Sequence, residues 1–108
     1  MTSLAEGTCR EIPKGTPAMP ANEVARHLAD LPGWEATADG KAITKQFSFK
    51  NFYETMSFVN AVAHIANTQD HHPDLAVSYN RCRITYNTHT VGGISQNDLI
   101  CAAKIERL

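Results

Sequence analysis

The sequence has few cysteines, little net charge and no long apolar run. Its three cysteines, Cys9, Cys82 and Cys101, are widely spaced, so they predict neither a CxxC metal knuckle nor a set of disulfides. A net charge of −1 provides no strongly basic face for nucleic acid. No apolar run approaches the roughly 20 residues of a membrane span, and the first residues lack the apolar segment of a secretion signal. We therefore expect a cytoplasmic protein that binds neither nucleic acid nor membrane.

The length of 108 residues is enough for one domain and too short for two separate cores. Residues 1–20 are rich in glycine and proline and have almost no periodic apolar pattern. We predict an irregular N-terminal arm there, whose removal the core tolerates, and a single domain over residues 21–108. A domain this small leaves apolar surface uncovered, which favours an oligomer.

Periodic apolar residues predict three helices. The first begins at Asn22 and stops before Pro32, and the second covers residues 51–67. The third begins after Ser95 and runs to the C-terminus. Ser95 and Asp98 have the spacing of a capping box, in which each side chain caps the backbone of the other.

Alternating apolar and polar residues predict two β-hairpins between these helices. The first covers residues 34–49 and turns at an Asp-Gly pair, and the second covers residues 75–86 and turns at Asn80. The element order α-β-β-α-β-β-α predicts an α+β fold, with a four-stranded antiparallel sheet and helices packed on one face.

Histidines are concentrated late in the chain. Three of the five, His71, His72 and His89, fall where the chain leaves regular structure. His89 points away from the apolar residues of its strand if that strand stays regular. Imidazole has an ordinary pKa of roughly 6.5, so it gives and takes protons near neutral pH. The cluster is therefore compatible with proton-transfer catalysis that needs no cofactor.

Other interpretations of these residues remain open. Histidines beside Pro73 also form turn hydrogen bonds, and a metal site is a third possibility, although the HxxxH spacing of zinc ligands is absent. Nucleophilic catalysis is disfavoured because there is no GxSxG motif. Cys82 and Cys101 lie in apolar runs, so we predict packing roles and raised thiol pKa values for them.

One long segment, DHHPDLAVSYNRCRITYNTHTVGGISQNDLICAAKI, resembles the pterin-4a-carbinolamine dehydratases. The resemblance rests on the His-His-Pro run, a following tyrosine, Thr-His, and Gly-Ile-Ser-x-x-Asp before the last helix. The hairpin at Trp34 and the segment FKNFYETMSFVNAVA are similar to the same family, so the resemblance spans about residues 20–108. It implies the fold predicted above and a homodimer or homotetramer. It also implies dehydration of the hydroxyl-bearing pterin that aromatic amino-acid hydroxylases release, without metal or redox cofactor.

The resemblance also implies roles for individual residues. His71, His72 and His89 would form the active site, with proton transfer by His71 and His89 and substrate orientation by His72. Asn67, Pro73 and Asp98 would bind the substrate, with Pro73 shaping the loop and Asp98 matching the acidic residue of the last helix.

Two positions depart from the family pattern. Asn67 stands where many members carry glutamate, and Leu75 stands where an aromatic residue is frequent. We expect Asn67 to bind the pterin edge or to orient His71 by hydrogen bonding. Family members also include a transcription-factor dimerisation partner and relatives linked to carboxysome enzyme assembly. A non-catalytic binding or assembly role is therefore the alternative to catalysis.

Overall fold

The fold consists of three α-helices and a four-stranded sheet in a computed structural model that describes residues 3–108. Two short 3₁₀ helices, Leu4–Glu6 and His89–Val91, accompany them. The predicted α+β class and element order are confirmed. No helix within residues 3–108 is long and apolar enough to cross a membrane. The elements are, in chain order, α1 (Ala21–Leu28), β1 (Glu35–Ala36), β2 (Ile43–Ser48), α2 (Phe52–Gln69), β3 (Asp74–Val77), β4 (Arg81–Tyr86) and α3 (Gln96–Glu106).

The sheet is antiparallel throughout, with strand order β1-β2-β4-β3. Side chains alternate along each strand, so one face carries Cys82, Ile84 and Tyr86, which are fully buried, and the other carries exposed arginines. The helices cover the apolar face. Most of α3 is buried there, which makes it the central helix of the core.

Lys45 interrupts the apolar face of β2 and is nevertheless well accommodated. It lies opposite Ile84, and its Nζ donates to the backbone oxygen of Pro32 (2.7 Å) and to the carboxylate of Glu106. The indole Nε1 of Trp34 donates to the same carboxylate at 3.0 Å. The Lys45 ammonium, the Trp34 indole N–H and the Glu106 carboxylate therefore all have hydrogen-bond partners, which removes the main free-energy cost of burying them.

Side-chain caps begin α2 and α3. The side chain of Asn51 accepts from the backbone N–H of Glu54 at 2.9 Å, while the Glu54 carboxylate accepts from the backbone N–H of Lys50. At α3 the predicted capping box forms in full between Ser95 and Asp98. This box fixes the Asp98 carboxylate at the first turn of α3.

The chain after β4 differs from a regular strand. β4 ends at Tyr86, Thr88 pairs with Gly93, and a 3₁₀ helix lies between them. Gly92 closes that helix with a left-handed φ of 66°, and its N–H donates to His89. His89 therefore does not continue the alternation of β4, and its exposure follows from the turn.

The N-terminal arm lies against the domain. The backbone N–H of Met19 donates to Ile94 at 2.8 Å, and Lys104 Nζ donates to the backbone oxygen of Ala5 at 2.8 Å. Leu4 and Cys9 are half-buried against the core. The tolerance of the domain to removal of the arm stays a prediction, and these contacts argue against it.

Candidate active site

The C-terminus of α2 brings His71 out of the helix and toward α3. Asp70 adopts the left-handed conformation (φ 50°, ψ 44°), which a short polar side chain tolerates better than a branched one. The N–H of His71 then donates back to Ala66 at 3.1 Å. The helix thus ends at Gln69, two residues beyond the predicted end, and the chain turns sharply at the first histidine.

His71 and Asp98 form the central contact of the site. Nε2 of His71 donates to Oδ1 of Asp98 at 2.5 Å. Asp98 has no exposed surface, and its second oxygen, Oδ2, accepts from Thr88 Oγ1 and from the N–H of Ser95, each at 2.9 Å. Both carboxylate oxygens are therefore occupied, and the buried charge is stabilised by three donors.

A chain of hydroxyls supports this carboxylate from behind. Thr88 uses its hydroxyl proton on Asp98, so it accepts from Ser95 Oγ, which lies 2.6 Å away. Ser95 Oγ in turn accepts from the N–H of Asn97 at 3.2 Å. Each hydroxyl has one proton, so the hydrogen bonds run in one direction, from Ser95 through Thr88 to Asp98. They join the segment after β4 to the start of α3.

Tyr86 holds His71 on another side. The two rings stack with centroids 5.2 Å apart and an interplanar angle of 19°. The Tyr86 hydroxyl donates to the backbone oxygen of His71 at 3.0 Å. The imidazole is therefore fixed by a carboxylate at Nε2 and by an aromatic ring against its plane, and Nδ1 is the nitrogen left for a substrate.

Two opposing effects act on the pKa of His71. Burial disfavours the imidazolium and lowers the pKa, while the hydrogen bond and charge of Asp98 favour the imidazolium and raise it. The contribution of Asp98 prevails, so the pKa of His71 lies above its ordinary value of 6.5. His71 is thereby suited to donate a proton near neutral pH.

The other predicted site residues are not among those that line the groove at His71. His72 is exposed, and its Nε2 donates to Oδ1 of Asn67 at 3.2 Å, so Asn67 contacts His72 rather than His71. Pro73 is half-buried between His72 and β3. His89 is exposed and follows Thr88 directly, which connects it to the Asp98 network through the backbone alone.

An open groove of about 690 Å³ runs past His71. We call it the His71 groove. Its lining includes Asp70, His71, Thr88 and Thr90, together with residues 9–12 of the arm. Its size falls within the range of about 300–1,000 Å³ for small-molecule sites. Sequence reasoning missed Thr88, Tyr86 and the arm, although the threonine directly before His89 was a usable signal.

Cys9 and Cys101 lie near this site, and Cys82 lies in β4. Cys82 is buried and burial raises its pKa, as predicted. The expectation of a raised pKa was wrong for Cys101, because the Cys9 thiol, with Sγ 3.6 Å away, donates a hydrogen bond that lowers the pKa of Cys101 to about 7 against the effect of burial. Within residues 3–108 no three or more His, Cys, Asp or Glu side chains are grouped as metal ligands would be.

The fold and the site together define a small α+β protein with a histidine–carboxylate pair beside an open groove. The sequence profile of the family described as Pterin 4 alpha carbinolamine dehydratase matches residues 17–108. This chain belongs to that family.

Known proteins show the same relationship. A Nitrosospira multiformis protein, provisionally named pterin-4-alpha-carbinolamine dehydratase, is 49% identical over 105 residues, which cover 97% of this chain and 91% of that protein. The crystal structure of a Brucella melitensis transcriptional coactivator/pterin dehydratase matches with a TM-score of 0.80 and 32% identity, covering 83% of this chain and 96% of that one. A pterin dehydratase-like RuBisCO assembly factor of the alpha-carboxysome shares the fold (TM-score 0.61, 20% identity, 69% of this chain and 87% of that one).

Proposed function

We propose that this protein is a hydro-lyase that removes water from 4a-hydroxytetrahydrobiopterin, a pterin-4a-carbinolamine, to give the quinonoid dihydropterin. The reaction would serve the recycling of tetrahydropterin cofactor. Family membership supports the substrate class. The observation that carries the reaction type is the 2.5 Å contact between His71 and the fully buried Asp98, beside an open groove.

The reaction needs one acid and one base. The 4a hydroxyl leaves as water once it is protonated, and the lone pair of the neighbouring ring nitrogen forms the new double bond to C4a. A base then takes the proton from that nitrogen. Histidines supply both functions near neutral pH without metal or redox cofactor.

We assign these roles to the three histidines of the family motifs. His71 would be the acid, because Asp98 raises its pKa and leaves Nδ1 for the departing hydroxyl. His89 would be the base, since its exposed ring follows the network residue Thr88. His72, held by Asn67, would orient the substrate, and Pro73 would shape its loop. The burial of Asp98 favours positioning through His71 over direct contact with the substrate.

The setting of the enzyme is also part of the proposal. The three cysteines are free, which suits the reducing cytoplasm. We expect the protein to act there as a homodimer or homotetramer on a small pterin, without nucleic acid or membrane.

An assay of the purified protein tests this function. We expect faster conversion of 4a-hydroxytetrahydrobiopterin to quinonoid dihydropterin than in buffer alone, with the same rate in EDTA. A rate equal to the buffer rate would contradict the enzyme and favour the non-catalytic binding or assembly role. A rate abolished by EDTA would contradict the metal-free mechanism.

A further inference from the structure

The N-terminal arm forms one side of the His71 groove, although it lies largely outside the matched family domain. The family profile begins at residue 17, while residues 9–12 line the same groove as His71 and Thr88. The catalytic proposal uses none of these arm residues, so their placement needs a separate account.

Hydrogen bonds fix this part of the arm to the end of α2, which precedes His71, and to the start of α3, which carries Asp98. The N–H of Cys9 donates to the side-chain oxygen of Gln69, the last residue of α2, at 2.8 Å. The side-chain amide of Asn97, next to Asp98, pairs with Arg10 twice, accepting from its N–H at 3.1 Å and donating to its backbone oxygen at 2.8 Å.

The side chain of Cys9 adds a third attachment. Its Sγ lies 3.5 Å from the backbone oxygen of Asn97 and 3.6 Å from Sγ of Cys101, which is fully buried in α3. The segment therefore has a fixed position relative to His71, unlike a free chain terminus.

We propose that residues 9–12 form a wall of the pterin site and that Arg10 and Glu11 determine substrate affinity through the amino-oxo edge of the pterin ring. That edge has N–H donors, which a carboxylate accepts, and a carbonyl acceptor, to which a guanidinium donates. Both side chains are exposed on the groove wall. This inference rests on the proposed dehydratase function and adds a substrate-binding segment to it.

The arm acts on binding and not on proton transfer. The guanidinium of Arg10 offers the substrate N–H donors and no acceptor, so its role is hydrogen bonding. A contact made equally in the ground state and the transition state changes KM and leaves kcat unaltered. The KM and kcat effects therefore separate the arm from the histidines.

The test compares Arg10→Ala, Glu11→Ala and the double variant with Lys14→Ala, an exposed arm residue that does not line the groove. We expect KM to rise about tenfold in each single variant, with kcat within twofold of the unsubstituted protein, as for loss of a hydrogen bond to a charged group. Lys14→Ala should leave both constants unchanged. Circular dichroism checks that all variants are folded.

A direct binding measurement separates this inference from the catalytic proposal. Titration calorimetry with biopterin, a stable pterin, should show a weaker Kd in the double variant by at least tenfold. The inference is overturned if the double variant retains KM and biopterin Kd within twofold, or if Lys14→Ala weakens binding equally. An unsubstituted protein that binds biopterin through the arm and lacks turnover would contradict only the proposed function.

Discussion

His71 and Asp98 depend on each other for the chemistry proposed here. Asp98 has no exposed surface and three donors, so its carboxylate is a fixed negative charge behind the imidazole. Charge at that point favours the imidazolium form of His71. The acid is therefore defined by two residues that are 27 positions apart in the sequence.

Removing that charge should shift the pH dependence of kcat. In the unsubstituted protein, activity falls as pH rises through the pKa of His71, which lies above 6.5 because of Asp98. In Asp98→Asn this pKa falls, so the alkaline decline of kcat moves to lower pH. Asp30→Asn removes an equal charge from an exposed position and should leave the profile unchanged. An unshifted pH profile of kcat in Asp98→Asn would contradict the role of Asp98 in raising the pKa of His71.

Substitutions of Asn67 distinguish a hydrogen-bonding role of this residue from the loss of a catalytic charge at its position. It accepts from His72 at 3.2 Å, so Asn67→Ala should reduce transition-state stabilisation by about 1–3 kcal/mol, measured as a fall in kcat/KM. Asn67→Glu keeps an acceptor there and should retain or raise activity. Asn60→Ala, exposed on the same helix, is the matched control.

The Asn67 series has a clear opposite outcome. If the missing charge has disabled proton transfer, the unsubstituted protein is near background and Asn67→Glu restores turnover. An inactive protein that glutamate fails to rescue would support the non-catalytic role instead.

Some of the site's residues were predictable from the sequence and others were not. His71 and Asp98, which the structure brings into contact, lie in the motifs that the sequence singled out, while the roles of His72 and His89 stay predictions. The Thr-His pair was a signal for Thr88, but its hydrogen bond to Asp98 was not predictable, because that bond depends on a turn after β4 that no periodic pattern marks.

At the scale of elements, β3 is the edge strand of the sheet that carries exposed apolar side chains. Its Leu75 and Val77 pair with Ile84 and Cys82, so they continue the apolar face that the helices cover elsewhere. They remain 37% and 41% exposed, because the helical layer does not extend over the last strand. An uncovered edge strand with apolar side chains is a ready site for pairing with a second copy.

A charge on this edge should weaken the predicted oligomer. We expect the unsubstituted protein to be at least a dimer by light scattering at micromolar concentration. Val77→Lys should shift it toward the monomer, because the lysine would be desolvated in the interface. Ala36→Lys places the same charge on β1, the opposite edge, and should have no effect. A monomer at every concentration before substitution would contradict the prediction.

Helix starts were predictable and strand ends were less so. Ser95 and Asp98 form the predicted capping box because it depends only on local spacing. By contrast, only Glu35–Ala36 of the first arm of the predicted hairpin forms a strand, because the extent of β1 depends on its pairing with β2. Pairing partners are set by the tertiary fold, which local sequence does not encode.

At the scale of the whole molecule, the arm is the largest departure from expectation. Glycine and proline predict an irregular backbone, within which the 3₁₀ helix Leu4–Glu6 forms, and they carry no information on where that backbone lies. The contacts that hold it join residues up to 104 positions apart, as between Ser3 and Arg107. The order of the elements was sufficient to predict the fold class of the domain. The position of the arm depends on long-range contacts, which that order does not encode.

Deleting residues 1–16 should therefore destabilise the domain. Loss of the half-buried Leu4 and Cys9 should cost at least about 1 kcal/mol of unfolding free energy. A loss of that size lowers Tm by about 4–8 °C in a domain of this length. Thermal unfolding by circular dichroism measures it, and an unchanged Tm would restore the view of the arm as dispensable.

The central claim is that His71 performs acid–base chemistry in this fold, and one comparison tests it most directly. His71→Ala is assayed for dehydration of 4a-hydroxytetrahydrobiopterin beside His64→Ala, which removes an exposed histidine from α2. Loss of one general acid or base lowers the rate by about 10²- to 10⁴-fold, and we predict a fall of that order in kcat for His71→Ala. His64→Ala should match the unsubstituted protein. Full activity in His71→Ala would contradict the account.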